Sequence, residues 1–456
     1  MPLNEKMLIP SPPRHNRFLL LFSILLAGML FGCAGRSTVN VKDDVPPVTA
    51  PSQLQENELL NVAIKVFDPG KLPEDEDKRM GLSREIRQAE AAFYAVHLKD
   101  TLQNSGYWGS VWVVPQSDIF EDLVISGKIE YSDGERLALH IKAVDARGVV
   151  WIDKTYQETS TTSEREEAKM EKQDAFQDLF NAIAQDLVRF RNGLSQQEIA
   201  EIHTLSELRF AAEMAREPFE HYYHQDKKGL FALTSKPPHD EDPMLQRVRE
   251  IRARDEMLMD VLTAYYDNYY QKLWSPYQNW RKFRSQELQI MRKVKNKALA
   301  TQVMGFVAIV GSVVLGIVGD DDMARAMDPV RQIMAVGGMA AIYAGHQMRQ
   351  DAKMNEEAIK ELGESLSSDA QPLLVEVKGQ TMRLTGTAKE QYARWRSLLR
   401  EIYENESQLD GKLPVLLGTK PQAQSQGQGQ NSPSGTNATS LQKEDTSAFQ
   451  NQVSTH

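Results

Sequence analysis

The chain has 456 residues and a formal net charge of −10. No global positive field therefore exists to neutralise nucleic-acid phosphates. With 41% hydrophobic residues it can build real cores, and its single cysteine excludes an intramolecular disulfide framework and any CxxC zinc or redox site. At about 150 residues per domain, the length suggests about three domains.

Residues 1–17 carry Lys6, Arg14 and Arg17 against Glu5. An uncharged run, Phe18 to Gly32, follows and ends at Cys33. A basic start, an apolar stretch and a small residue before the cut predict a secretory signal over residues 1–32. The stretch Leu30-Phe31-Gly32-Cys33 resembles the lipobox of bacterial lipoproteins, with Phe31 where that family has a small residue. The resemblance implies diacylglycerol on Cys33, cleavage before it and N-acylation of the new terminus, with no other cofactor. It also implies a membrane partner through the lipid. Ala34 rather than Asp after the cysteine implies the outer membrane, facing the periplasm. The other reading is an uncleaved anchor, since Phe18 to Gly35 is at the short edge of a spanning helix. Loss of Lys6, Arg14, Arg17 and Glu5 with the signal moves the net charge to −12. An acidic body is repelled by anionic lipid, so the acyl chains must hold it at the membrane.

Residues 33–57 are polar and Pro-rich and read as a lipidated tether. The first folded unit spans 58–192. Leu59 to Phe67 reads as a buried strand stopped by Asp68-Pro69-Gly70. Ser83 caps a helix running to about Asn104 and ending at Gly106. Trp108–Val114, Leu123–Tyr131, Arg136–Val144 and Val149–Thr155 read as strands, with a hairpin turn at Asp133-Gly134. Lys172–Phe190 places Phe176, Leu179, Phe180, Ile183 and Leu187 at helical spacing. The predicted order is β-α-β-β-β-β-α, an α+β domain. With the strand at 59–67, the helix at 86–104 and the meander after Leu123-Val-Ile-Ser-Gly127, this order resembles the N-terminal domain of TolB and the curli secretion lipoprotein. The resemblance covers about a third of the chain and bears on fold more than function.

A helical unit is predicted over 195–297. Ser195-Gln-Gln-Glu198 is a capping box, Met244–Leu273 a helix, and Ser275-Pro276 the cap and first residue of another. Residues 298–348 hold two uncharged runs, Ala298–Gly319 and Gln332–Met348, parted by Asp320-Asp321-Asp322 and Asp328-Pro329. Ala308, Ser312, Gly316 and Gly337, Ala341, Gly345 recur at four-residue spacing, which lets helix backbones approach closely. The expectation is a glycine-zipper helical hairpin that contacts membrane or drives self-association, with a plain buried core as the other reading. A helix and a small β-hairpin with a helix follow over 349–418, with a capping box at Thr387 to Glu390. Residues 419–456 form a Gln/Ser/Gly-rich tail predicted to be disordered.

Neither GxSxG, Walker A, HExxH nor GxGxxG occurs, so no catalytic residue and no enzyme activity are assigned. His221 and His224 would share a helix face, but two imidazoles fall short of the four ligands of a structural zinc, and no metal site is assigned. Tyr265, Tyr266, Tyr269, Tyr270, Trp274, Tyr277, Trp280 and Phe283 could stack on sugars if exposed; their spacing equally suits a helix core, the reading preferred. Arg247, Arg249, Arg252, Arg254, and then Arg281, Lys282, Arg284, Arg292, Lys293, Lys295 and Lys297, either meet lipid phosphates or form a helix face paired with carboxylates. The sum is a non-enzymatic envelope lipoprotein: a scaffold, assembly factor or partner-binding component that binds no nucleic acid. The alternative is a subunit of an oligomeric export channel, with the hairpin as its membrane or oligomerisation element.

Overall fold

The computed structural model describes residues 37–42, 44–74, 82–160, 173–300, 353–364, 373–377 and 380–406. Cys33, the signal, and the stripe Ala308, Ser312, Gly316, Gly337, Ala341 and Gly345 lie outside the described residues. No described helix is long and apolar enough to cross a membrane.

The chain is a mixed α and β structure built on a six-stranded mixed sheet. Its first strand, β1 (Ser37–Asn40), falls within the stretch expected to be a tether. Polar and short, β1 is an edge strand whose backbone pairs parallel with a later strand, and Thr38 and Val39 suit that extended conformation. The predicted buried strand is β2 (Leu60–Lys65). Helix α1 (Arg84–Ser105) begins where the Ser83 hydroxyl accepts the Ile86 N–H at 3.1 Å. It ends at Gly106, whose φ of +72° is left-handed. Strands β3 (Trp108–Val114), β4 (Leu123–Ser132), β5 (Arg136–Asp145) and β6 (Val150–Thr159) complete the sheet, in the order β1-β6-β5-β4-β2-β3. The β4–β5 turn closes because Asp133 Oδ1 accepts the N–H of Glu135 at 3.0 Å and of Arg136 at 2.7 Å, with Gly134 at φ +87°.

Along β4 and β5 burial alternates, as a sheet covered on one side requires. Leu123, Ile125 and Ile129 point to the core under α1, while Ser126, Lys128 and Glu130 point away. Gly127 stands at an inward position, and a Cβ there would lie 2.5 Å from the Phe67 ring, so the wholly buried Phe67 needs glycine opposite it. Helix α2 (Gln177–Asn192) covers β6, where Asp186 accepts from Lys154 Nζ at 2.9 Å and from the Tyr156 hydroxyl at 2.7 Å.

Helix α3 (Gln196–Met214) opens on the predicted capping box: the Ser195 hydroxyl accepts from Glu198 N–H at 3.3 Å, and the Glu198 carboxylate accepts from Ser195 N–H at 2.9 Å. After the short α4 (Arg216–Phe219), His221 and His224 do not share a helix. His221 lies in a single 3-10 turn and His224 in β7 (Tyr223–Gln225), which pairs antiparallel with β8 (Phe231–Leu233). The cause is the Asp226–Gly229 turn, in which Asp226 Oδ1 accepts the N–H groups of Lys228 and Leu230 at 2.8 and 2.9 Å. No group of three or more potential metal ligands forms among the described residues.

Helix α5 (Pro243–Ala300) runs through Pro276 unbroken, where the sequence suggests a cap and a new start. The residues around Pro276 explain the continuation. Leu273 and Tyr277 are fully buried, Arg281 is buried one turn on, and this packing outweighs one missing N–H. Tyr266, Tyr269, Tyr277 and Trp280 are core residues; Phe93 of α1 stacks on Tyr270 at 4.6 Å and Trp274 at 6.0 Å. The helix also covers the open edge of β3: Val113 N–H donates to Thr263 Oγ1 at 3.1 Å and Trp112 Nε1 to Asp260 at 2.7 Å. At the centre of the α1–α5 interface, Glu90 accepts from the Ser132 hydroxyl at 2.6 Å and the Tyr277 hydroxyl at 2.7 Å. Burial there raises its carboxyl above the ordinary range, although Arg87 opposes this.

A helix over 353–364, α6, is followed by the expected hairpin, β9 (Leu373–Val377) with β10 (Gln380–Leu384). Helix α7 (Ala388–Glu406) starts at the second capping box, where Glu390 accepts Thr387 N–H at 2.9 Å. Its buried Trp395, Leu399 and Ile402 join it to the common core.

Candidate functional site

The outward face of the sheet and α7 border an open cleft of about 820 Å³, within the size range of small-molecule sites. Its sheet wall is Lys65, Asp68, Ser126, Gly127, Lys128, His140 and Lys142. The opposite wall is Lys389, Tyr392, Ala393, Arg396, Ser397 and Arg400, spaced so that they form one face of α7. Gln116, Ser117, Asp118 and Glu213 close the ends.

Register sets the sheet wall. Lys128 lies opposite His140, and Ser126 opposite Lys142. Ile64 is level with Ile125, so Lys65 stands beside Ser126 on the neighbouring strand. Asp68 bridges to Lys128 just beyond the end of β2. Three adjacent strands thus aim lysines at the same space. His140 is fixed by two partners: Nε2 meets Asp153 at 3.0 Å and Nδ1 lies 3.3 Å from the Thr155 hydroxyl.

The helix wall is held by a buried pair. Arg396 Nη1 donates to Asp255 of α5 at 2.7 Å, and Tyr392 donates to the same carboxylate at 3.2 Å. The Arg396 guanidinium lies over Phe210 at 4.8 Å and Phe120 at 5.5 Å. Burial works against its charge, yet Asp255 keeps its pKa above the ordinary value. The end wall at 116–118 leads into a loop anchored by Arg252, which donates to Glu121 at 2.9 Å, and by His203, which meets Asp122 at 3.0 Å. Burial pushes the Glu121 carboxyl up to about 7 against the pull of Arg252.

In charge the cleft contrasts with the acidic chain. Lys65, Lys128, Lys142, Lys389, Arg396 and Arg400 face Asp68, Asp118 and Glu213. Burial lowers the Lys65 pKa, with Asp118 opposing. Lys128 meets Glu130 at 3.3 Å, and Arg400 is only 4.0 Å from Glu213. Among the described residues, neither Lys142 nor Lys389 has an ion pair.

The sequence alone marks none of these residues as part of a site. The helix half had a readable signal, since Lys389, Arg396 and Arg400 share a face. The sheet half depends on register between β2, β4 and β5, which spacing does not contain. Four of the basic residues that the sequence singles out have other work. Arg249 pairs with Glu207 and Asp240, Arg252 with Glu121 and Glu256, Arg281 with Asp174, and Arg292 with Glu135.

No protein-family model matches the chain, and a search of curated proteins finds none with significant similarity.

Proposed function

We propose that the chain is an exported, acylated lipoprotein acting without catalysis, as a scaffold, assembly factor or partner-binding component. It is held at the outer membrane through Cys33 and faces the periplasm. One observation carries this reading: the one cysteine among 456 residues stands at the end of an uncharged apolar run, in Leu30-Phe31-Gly32-Cys33. A basic cleft on the folded body supplies a surface for a bound partner or ligand. The finer fold we propose is that of the TolB N-terminal domain, supported by the order β2-α1-β3-β4-β5-β6-α2. Labelled palmitate tests the anchor. Native chain should take up the label, and Cys33→Ser should take up none and leave the membrane fraction; label on Cys33→Ser sinks the reading.

The small-residue stripe favours a second reading, a subunit of an oligomeric export channel joined through Gly316 and Gly337. Light scattering of the acylated chain in detergent should then give a discrete large mass that Gly316→Leu or Gly337→Leu reduces. A monomer insensitive to both substitutions rules the channel out.

A further inference from the structure

We propose that the cleft between the sheet and α7 binds a phosphorylated sugar, either free or as the headgroup of a lipid. The assignment takes the cleft as the binding surface of the folded body and does not depend on acylation at Cys33.

The sheet geometry supplies the anion site. Lys65 and Lys142 flank Ser126 on the two strands next to β4. Adjacent strands are about 4.8 Å apart, so the two lysine Cα atoms stand about 10 Å from each other. Each side chain is roughly 6 Å long, enough for both ammonium groups to reach one oxyanion above Ser126. Lys389 approaches from the opposite wall. Lysines gathered this way repel one another, and among the described residues neither Lys142 nor Lys389 has an ion pair to offset it. An oxyanion between them removes that repulsion, and ammonium and hydroxyl donors around it match a phosphate.

The carboxylates define the rest of the ligand. A bare polyphosphate would be repelled by Asp68, Asp118 and Glu213, which share the cleft. The same groups accept hydrogen bonds from hydroxyls, so a ligand carrying phosphate at one end and hydroxyls at the other satisfies both sets. A cleft of about 820 Å³ has room for a phosphorylated sugar and not only for a single phosphate ion.

The test uses the full acylated chain in detergent and isothermal titration with four probes. These are inorganic phosphate, a hexose monophosphate, the same hexose without phosphate, and a short-chain phosphatidylinositol. Saturable one-to-one binding of the hexose monophosphate, tighter than inorganic phosphate and absent for the hexose, supports the proposal. Tighter binding of the short-chain lipid supports it too and assigns the lipid headgroup as the source. Lys142→Ala and Lys389→Ala should each weaken binding by on the order of tenfold, and Lys142→Arg should restore most of it. Both lysine positions face solvent, so near-ultraviolet circular dichroism should stay native in each variant. Affinity unchanged in both alanine variants overturns the proposal, as does the absence of binding by every phosphorylated probe. Neither result touches the palmitate experiment, so failure of the ligand and failure of the anchor are distinguishable.

Discussion

Arg281→Met is expected to destabilise the fold by about 3–5 kcal/mol, read as a lower urea midpoint. Arg281 and Asp174 are both fully buried, and their side chains meet at 3.3 Å. The guanidinium also donates through Nε to the Gly134 carbonyl at 3.2 Å and lies 4.0 Å over the Phe176 ring. One side chain of α5 therefore holds the β4–β5 turn and the approach to α2. Without it Asp174 keeps its negative charge in a dry site. Burial alone would raise that carboxyl; Arg281 brings it below the ordinary range instead. The pair accordingly contributes above the ordinary aspartate value of 3.8 and loses its contribution as pH falls below it. Adding Asp174→Asn to Arg281→Met should recover much of the loss. The amide removes the stranded charge, and its carbonyl oxygen can still accept Phe176 N–H, which Asp174 Oδ1 receives at 2.9 Å. A single variant within about 1 kcal/mol of native stability would show that the Arg281–Asp174 pair does not hold α5 in place.

The contrast between Ser83 and Pro276 shows which parts of this fold are legible from sequence. The caps at Ser83, Ser195 and Thr387 and the Asp133-Gly134 turn are set by atoms within a few residues, and each occurs where its motif stands. Pro276 is a local stop signal overruled from a distance, because Tyr277 and Arg281 are anchored by residues more than a hundred positions earlier. Strand β1 is not legible in the sequence for a related reason. Its four residues carry little apolar signal, and its place is set by pairing with β6. The cleft is the most distributed feature of all. Lys65, Lys142 and Lys389 each look like an ordinary surface lysine in sequence, and only the strand order β5-β4-β2, with α7 laid beside it, makes them a group.

A Glu158→Gln chain should be more stable than the native one at about pH 9, by about 2–4 kcal/mol, and no more stable at about pH 4. Glu158 on β6 is 6% exposed. Burial first, and then the Asp178 carboxylate nearby, raise its carboxyl to about 8. The unfolded chain releases this proton near the ordinary value of 4.5, whereas the folded chain keeps it until about 8. Between those values the unfolded state binds fewer protons, so stability falls as pH rises, and above 8 the full cost is present. Glutamine removes that cost and keeps the one hydrogen bond that matters locally, since its carbonyl oxygen can accept the Leu179 N–H that Glu158 Oε2 receives at 2.8 Å. Urea titrations of both chains at several pH values should therefore converge in acid and separate in base. Equal loss of stability at both ends would mean that the carboxylate is ionised and satisfied in the fold. Asp178 carries the effect one step further. Its two oxygens accept the N–H groups of Asp44 and Val45 at 3.0 and 3.1 Å. A neutral neighbour leaves that carboxylate less strained by repulsion, so amide exchange at positions 44 and 45 should slow in the glutamine chain under alkaline conditions only.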